Sequence, residues 1–126
     1  ARCVLVVGLP YPDITDPELQ EKMAALDRKA REQNGATASI TGRAYYHNLC
    51  MRAVNQSIGR AIRHSNDYAA VILADSRYAS DEKVWTGLPQ WLRGTSDVRR
   101  HQQSSSFGSV ISGLRKFFRH HQEKYS

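Results

Sequence analysis

The chain has 126 residues, 40% of them hydrophobic, which suits one domain with a modest core and excludes a complete two-domain motor. Its 18 Lys and Arg against 12 Asp and Glu leave a net charge of +6, a balance that favours a polyanionic partner. There is no Met start, no signal peptide and no apolar run near 18 residues, so we expect a soluble, intracellular piece of a longer protein with no membrane association.

In chain order, Cys3 to Gly8 is a continuous β-branched run, the pattern of a strand buried on both faces of a parallel sheet. Gly8-Leu9-Pro10-Tyr11-Pro12 stops it and stiffens the exit, holding Tyr11 at the strand's C-terminal end, where open α/β sheets place ligands. Tyr11 serves equally as a packing aromatic in a Pro-rich turn. Asp16 and Pro17 signal a helix start, and Leu19, Met23, Leu26 and Ala30 give its apolar stripe. Gln33 to Gly42 reads as a surface loop. A helix over Tyr45 to His64 follows, then a turn at Ser65-Asn66-Asp67 and a strand from Tyr68 to Ala74 whose end carries Asp75 and Arg77. Leu88 to Leu92 reads as a short helix docked by Trp91, Asp97 to His101 as a weak strand, and Ser104 to Gly108 as a break and a cap.

The last helix puts Val110, Ile111, Leu114, Phe117 and Phe118 on one face and Arg115, Lys116, Arg119, His120 and Lys124 mostly on the other. From Arg93 onward there are seven Lys or Arg against two acids, so the basic ridge, with Arg99 and Arg100, is a candidate for weak DNA binding. Cys3 and Cys50 each sit in an apolar setting and read as buried free thiols. No carboxylate or thiol accompanies the histidines at ligand spacing, so we expect no metal site.

The most informative stretch is Gln56 to Arg63, Gln-Ser-Ile-Gly-Arg-Ala-Ile-Arg. At helical spacing Arg52, Gln56, Gly59, Arg60 and Arg63 share one stripe, while Cys50, Val54, Ser57, Ile58 and Ala61 face the other way. Arginine pairs on amphipathic helices are most often a solvated face. Here a carboxamide and a glycine join them, and glycine costs roughly 1 kcal/mol against alanine inside a helix, so its place suggests that something comes close. Two permanently charged forks of N–H donors suit phosphate oxygens.

These residues resemble motif VI of superfamily 2 helicases. The run LCMRAVNQSIGRAIRH, followed by NDYAAVILADSRYA and LPQWL, with VLVVGLPYPDITDPELQEKM at the start, is similar to the XPD-like iron-sulfur DNA helicases of the ChlR (chromosome loss) branch. The likeness covers nearly the whole chain apart from the loop around Gly35 to Gly42. It implies an α/β fold over residues 1–126: the C-terminal part of the second RecA-like domain, a partial three-layer unit with a short parallel sheet. An edge of that sheet would then be uncovered. It also implies that Arg63 is an arginine finger, Arg60 a second phosphate contact and Gln56 a sensor of the phosphate or its water, with Gly59 permitting close approach. Asp75 and Arg77 form the turn that follows motif VI, where the acid could orient Arg60 or Arg63 or simply shape the turn.

The chain has no Gly-x4-Gly-Lys-Ser/Thr loop and no acidic box for Mg²⁺. By resemblance these lie on the first RecA-like domain, with ATP and Mg²⁺ shared across the cleft, so the chain alone is expected to be inactive. The resemblance further implies 5′ to 3′ movement on single-stranded or forked DNA, a 4Fe-4S cluster outside this chain, a nuclear location, and replication or cohesion proteins as partners. Another class stays open: a non-catalytic basic nucleic-acid or protein docking module, its arginines on backbone phosphates rather than ATP.

Overall fold

Val4, Val6 and Val7 in one segment and Val71 and Ile72 in another are β-branched residues that pack well on a pleated surface, and they form the sheet of the computed structural model. Strand β1 (Cys3–Val7) pairs in parallel with β2 (Ala70–Ala74), in a register that sets Cys3 beside Ala70 and Val7 beside Ala74. The structure describes residues 2–32, 40–94 and 106–125. They fall into two compact units, Ala1–Gly8 with Asn55–Ser126 and Leu9–Val54. The chain is mixed α/β, with a short two-stranded parallel sheet in the first unit, consistent with a partial RecA-like domain.

In the first unit the ladder continues at both ends, Ala70 N–H donating to Arg2 O at 2.9 Å and Gly8 N–H to Ala74 O at 3.1 Å. Gly8 then turns the chain with φ of 76°, a left-handed conformation that a side chain would strain. Its carbonyl accepts the hydroxyl of buried Tyr78 at 3.0 Å. Tyr78 lies on α3 (Arg77–Ser80), which is followed by α4 (Glu82–Gly87), α5 (Gln90–Arg93) and α6 (Phe107–Tyr125). The Asp81 carboxylate caps α4 by accepting Lys83 N–H, and the Ser106 hydroxyl caps α6 by accepting Ser109 N–H. Among the described residues of this unit, Ile58, Ala61, Tyr78, Val84 and Leu88 are buried.

The second unit holds α1 (Pro17–Glu32) and the first part of α2 (Gly42–Gly59). Asp16 caps α1, its carboxylate accepting Glu18 N–H at 3.0 Å, and Thr41 caps α2 through Ala44 N–H at 3.1 Å. Gly42 is buried, and its amide donates to Asp27. A Cβ there would lie 2.6 Å from the Met23 carbonyl oxygen, so α1 and the start of α2 approach as they do because residue 42 is glycine.

Several expectations need correction. Strand β1 is not buried on both faces: Leu5 and Val7 are 59% and 76% exposed, and Cys3 is an exposed thiol, whereas Cys50 is buried as expected. The alternation follows from the pleat, with one face of β1 uncovered among the described residues. Strand β1 ends one residue earlier than expected and β2 begins two residues later, while α2 starts at Gly42 rather than Tyr45 and stops at Gly59 rather than His64. The short helix runs over Gln90–Arg93 rather than Leu88 to Leu92, and Trp91 does not dock it: Trp91 is 50% exposed, and the buried residue is Leu88, the C-cap of α4. Ser57 is exposed, not inward. The expected strand at Asp97 to His101 and most of the Gln33 to Gly42 loop lie outside the described residues.

Candidate functional site

Helix α2 brings Gln56 and Gly59 to its last turn, both exposed, while Ile58 between them is fully buried. Its end tightens: Arg60 N–H reaches back to Ser57 O at 3.4 Å and Ala61 N–H to Ile58 O at 3.0 Å, the three-residue spacing typical of a closing turn. Arg60 and Arg63 therefore project from the segment after the helix, not from its stripe, and both are exposed. A Cβ on Gly59 would meet nothing within 4 Å. The fold itself does not demand glycine there, and space remains for an outside group. Two exposed guanidinium groups, a carboxamide and open backbone within eight residues fit phosphate oxygens.

One carboxylate holds this segment and another closes the turn after β2, and only the second was anticipated as an arginine partner. Asp67, read from sequence as a turn former, has a side chain only 6% exposed. Its Oδ2 accepts Arg63 N–H at 3.1 Å, and its Oδ1 accepts Tyr68 N–H at 3.0 Å and an N–H of the Arg2 guanidinium. The Arg63 amide, helped by the Tyr68 amide and Arg2, holds the carboxyl below the usual carboxylate range against the opposing pull of burial. Asp75 shapes its turn. Its two oxygens accept the Arg77 amide and Nε, each at 2.9 Å, and the terminal Arg77 N–H at 2.8 Å. That fork draws its pKa down to about 2.

Residues 1–95 match the model of the helicase C-terminal domain. The chain belongs to that family, within the ChlR branch of the XPD-like helicases. It is 44% identical over 98% of its length to ATP-dependent DNA helicase DDX11 of Danio rerio, and 46% identical over 94% to ATP-dependent DNA helicase chl1 of Schizosaccharomyces pombe. A regulator of telomere elongation helicase 1 homologue from Drosophila willistoni is 41% identical over 97% of the chain. The chain spans only 13%, 13% and 12% of these relatives' own lengths.

Within this helicase C-terminal domain the other candidate residues divide. Tyr11 stacks on Tyr46 with ring centroids 5.0 Å apart, and its hydroxyl lies 3.1 Å from His47 Nδ1, so it packs within the Leu9–Val54 unit. A groove of about 540 Å³ in the same unit is lined by apolar residues such as Leu19 and Leu49, with Asp16, Glu18 and Glu21 outnumbering the one cation, Lys22. Its acidic lining does not suit phosphate, and none of Gln56, Gly59, Arg60 or Arg63 borders it. On α6, Arg115, Lys116, Arg119, His120 and Lys124 are exposed while Val110, Ile111, Leu114, Phe117 and Phe118 are half-buried, as the helical pattern required. Arg99 and Arg100 lie outside the described residues. Among the described residues no three His, Cys, Asp or Glu side chains gather for a metal ion, and no described helix is long and apolar enough to cross a membrane.

Proposed function

We propose that this chain is the motif VI portion of an ATP-dependent DNA helicase, presenting an arginine finger to an ATP site shared with the first RecA-like domain of the same protein. The observation that carries this reading is the pair Arg60 and Arg63, exposed just past α2 beside Gln56 and an open Gly59. Membership of the helicase C-terminal domain family supports it, as do relatives named ATP-dependent DNA helicases.

ATP with Mg²⁺ supplies the phosphoryl group whose transfer drives the motor. Arg63 places a planar fork of donors where charge builds in the transition state, and Arg60 holds a second phosphate oxygen. Gln56 donates from its carboxamide to the phosphate or orients its water, and Gly59 lets the phosphate approach the backbone. The chain carries no phosphate-binding loop, so alone it has no ATPase activity with or without DNA. The whole protein couples hydrolysis to 5′ to 3′ movement on single-stranded or forked DNA. It holds its 4Fe-4S cluster outside this chain and works in the nucleus with replication or cohesion proteins.

The basic ridge of α6 supports a direct part in DNA binding through Arg115, Lys116 and Arg119. The deciding experiment is nucleotide affinity and single-turnover hydrolysis of the full-length protein with Arg63→Ala. Hydrolysis should collapse while ATP binding changes little. Hydrolysis near the normal rate with only DNA binding impaired would instead make the arginines a docking surface for nucleic acid.

A further inference from the structure

Between the end of α2 and the start of β2 the chain runs through residues 60–69 with no regular structure, and Arg63 sits in this stretch. One main-chain bond closes a turn within this stretch, Asp67 N–H to His64 O at 3.0 Å, but the Arg63 amide is held by a side chain instead. For Arg63 that holder is Asp67, whose Oδ2 accepts the Arg63 amide while its Oδ1 accepts Tyr68 N–H and Arg2. The contact takes the amide of Arg63 and leaves this exposed residue's guanidinium to other partners.

Asp67 is braced in turn. Arg2 also donates to Tyr68 O at 3.0 Å, and its guanidinium carbon stands 4.1 Å from the centre of the Tyr68 ring. On that ring lies His121 of α6, centroids 4.6 Å apart and planes 23° from parallel, and the Phe117 ring meets it edge-on at 6.3 Å. His121 Nδ1 donates to Phe117 O at 2.9 Å, which fixes the imidazole against its own helix. An unbroken series of contacts thus runs from the helix bearing the basic ridge, through Tyr68 and Arg2, to the carboxylate that holds Arg63.

We propose that Asp67 is the positioning residue for Arg63, and that the Arg2–Tyr68–His121 stack makes this positioning depend on the seating of α6. The proposal rests on the arginine-finger reading. It assigns Asp67 no contact with nucleotide: its effect reaches the reaction only through the placement of Arg63, and a misplacement near 1 Å is enough to cost about 10²-fold in rate.

The test is single-turnover ATP hydrolysis and ATP affinity in the full-length protein for Asp67→Ala, Asp67→Asn, His121→Ala, Arg63→Ala and the doubles with Arg63→Ala, each with its thermal unfolding. We expect Asp67→Ala to lower the rate about 10- to 100-fold, by the cost of a misplaced group, with ATP affinity within a few-fold. Asp67→Asn should recover part of the loss, because the amide oxygen still accepts one N–H. His121→Ala should show a smaller loss of the same kind. In the Arg63→Ala background Asp67→Ala and His121→Ala should change the rate no further, since residues acting as a unit are not additive. Should the losses multiply instead, Asp67 acts elsewhere and the proposal fails. It fails also if Asp67→Asn and His121→Ala, folded as judged by unfolding, both hydrolyse at the normal rate. Normal hydrolysis by Arg63→Ala is a separate result that removes the arginine-finger reading itself.

Discussion

The loop at Asp67 and the turn at Asp75 bring the same two residue types together to opposite effect. Asp75 precedes Arg77 by two residues, and the chain folds back so that Oδ1 accepts the amide and Nε of that one arginine while Oδ2 accepts its terminal N–H. Asp67 follows Arg63 by four residues and takes only its amide, giving its other oxygen to Tyr68 and Arg2. In one turn the arginine head completes a local fork. In the other the acid fixes the backbone of an exposed arginine. Position relative to the acid separates an arginine that shapes structure from one available to a ligand, although both are exposed.

The sharpest way to break this comparison is to remove each arginine in the full-length protein. Arg63→Ala should lower the rate by about 10³ to 10⁵, the range for fingers acting on transition-state charge, and Arg63→Lys should not rescue it. Arg77→Ala should leave the rate within a few-fold and cost at most about 1 kcal/mol of stability, as exposed ion pairs do. Equal losses of rate from the two variants would erase the distinction.

The contrast also marks what could be read from residue order. Some local signals were legible: Asp16 and Pro17 start α1, and the apolar and basic faces of α6 fall where the helical pattern puts them, whereas the caps at Thr41 and Asp81 and the short helices α3 and α4 were not read. Family membership was legible too, through the motif wording around Gln56 to Arg63. What long-range contacts decide was not. The sequence pattern carries α2 on to His64, but the closing turn at Ser57 and Ile58 and the bond from Arg63 to Asp67 end it at Gly59. Cys3 lies in an apolar run yet is exposed, because burial of the second face of a strand depends on what covers it. Among glycines, Gly59 drew notice, but Gly42 is the one that Met23 requires.

The two glycines give the next test, read by thermal unfolding. At position 42 a methyl group would lie 2.6 Å from backbone, which a flexible side chain cannot relieve, so Gly42→Ala should cost about 1–3 kcal/mol. Gly59→Ala meets open space and raises helix propensity, so it should be neutral or stabilising by up to about 1 kcal/mol. If Gly59→Ala lowers ATP affinity while the fold is unharmed, the glycine serves a ligand. If it changes neither, the residue does no more than let α2 stop.

On α6, replacing Arg115, Lys116 and Arg119 by Gln should weaken single-stranded DNA binding without preference for sequence. If all three contact phosphates, the logarithmic salt dependence should become shallower by about 2, because fewer counterions are released. An unchanged salt slope would leave the ridge a solvated helix face.

The smallest effect expected belongs to the two aspartates as acids. Their carboxyls are held below the ordinary carboxylate range, Asp75 at about 2 by the Arg77 fork and Asp67 chiefly by the Arg63 amide. A group with a depressed folded pKa binds protons more readily when unfolded, so its stabilisation is full above the unfolded value of about 4 and disappears as pH falls through the folded value. For Asp75 the window runs from about pH 4 down to about 2. Unfolding followed from pH 5 to pH 2 should therefore show stability falling with acid, with a shallower fall in Asp75→Asn. Because Arg77 is 48% exposed on its side chain, added salt should reduce that difference. Asp67→Asn should flatten the same limb with less dependence on salt, since its carboxylate is nearly buried and its main partner is an amide rather than a mobile charge. An acid limb identical in both variants and the native chain would mean that neither carboxylate is held as these contacts require.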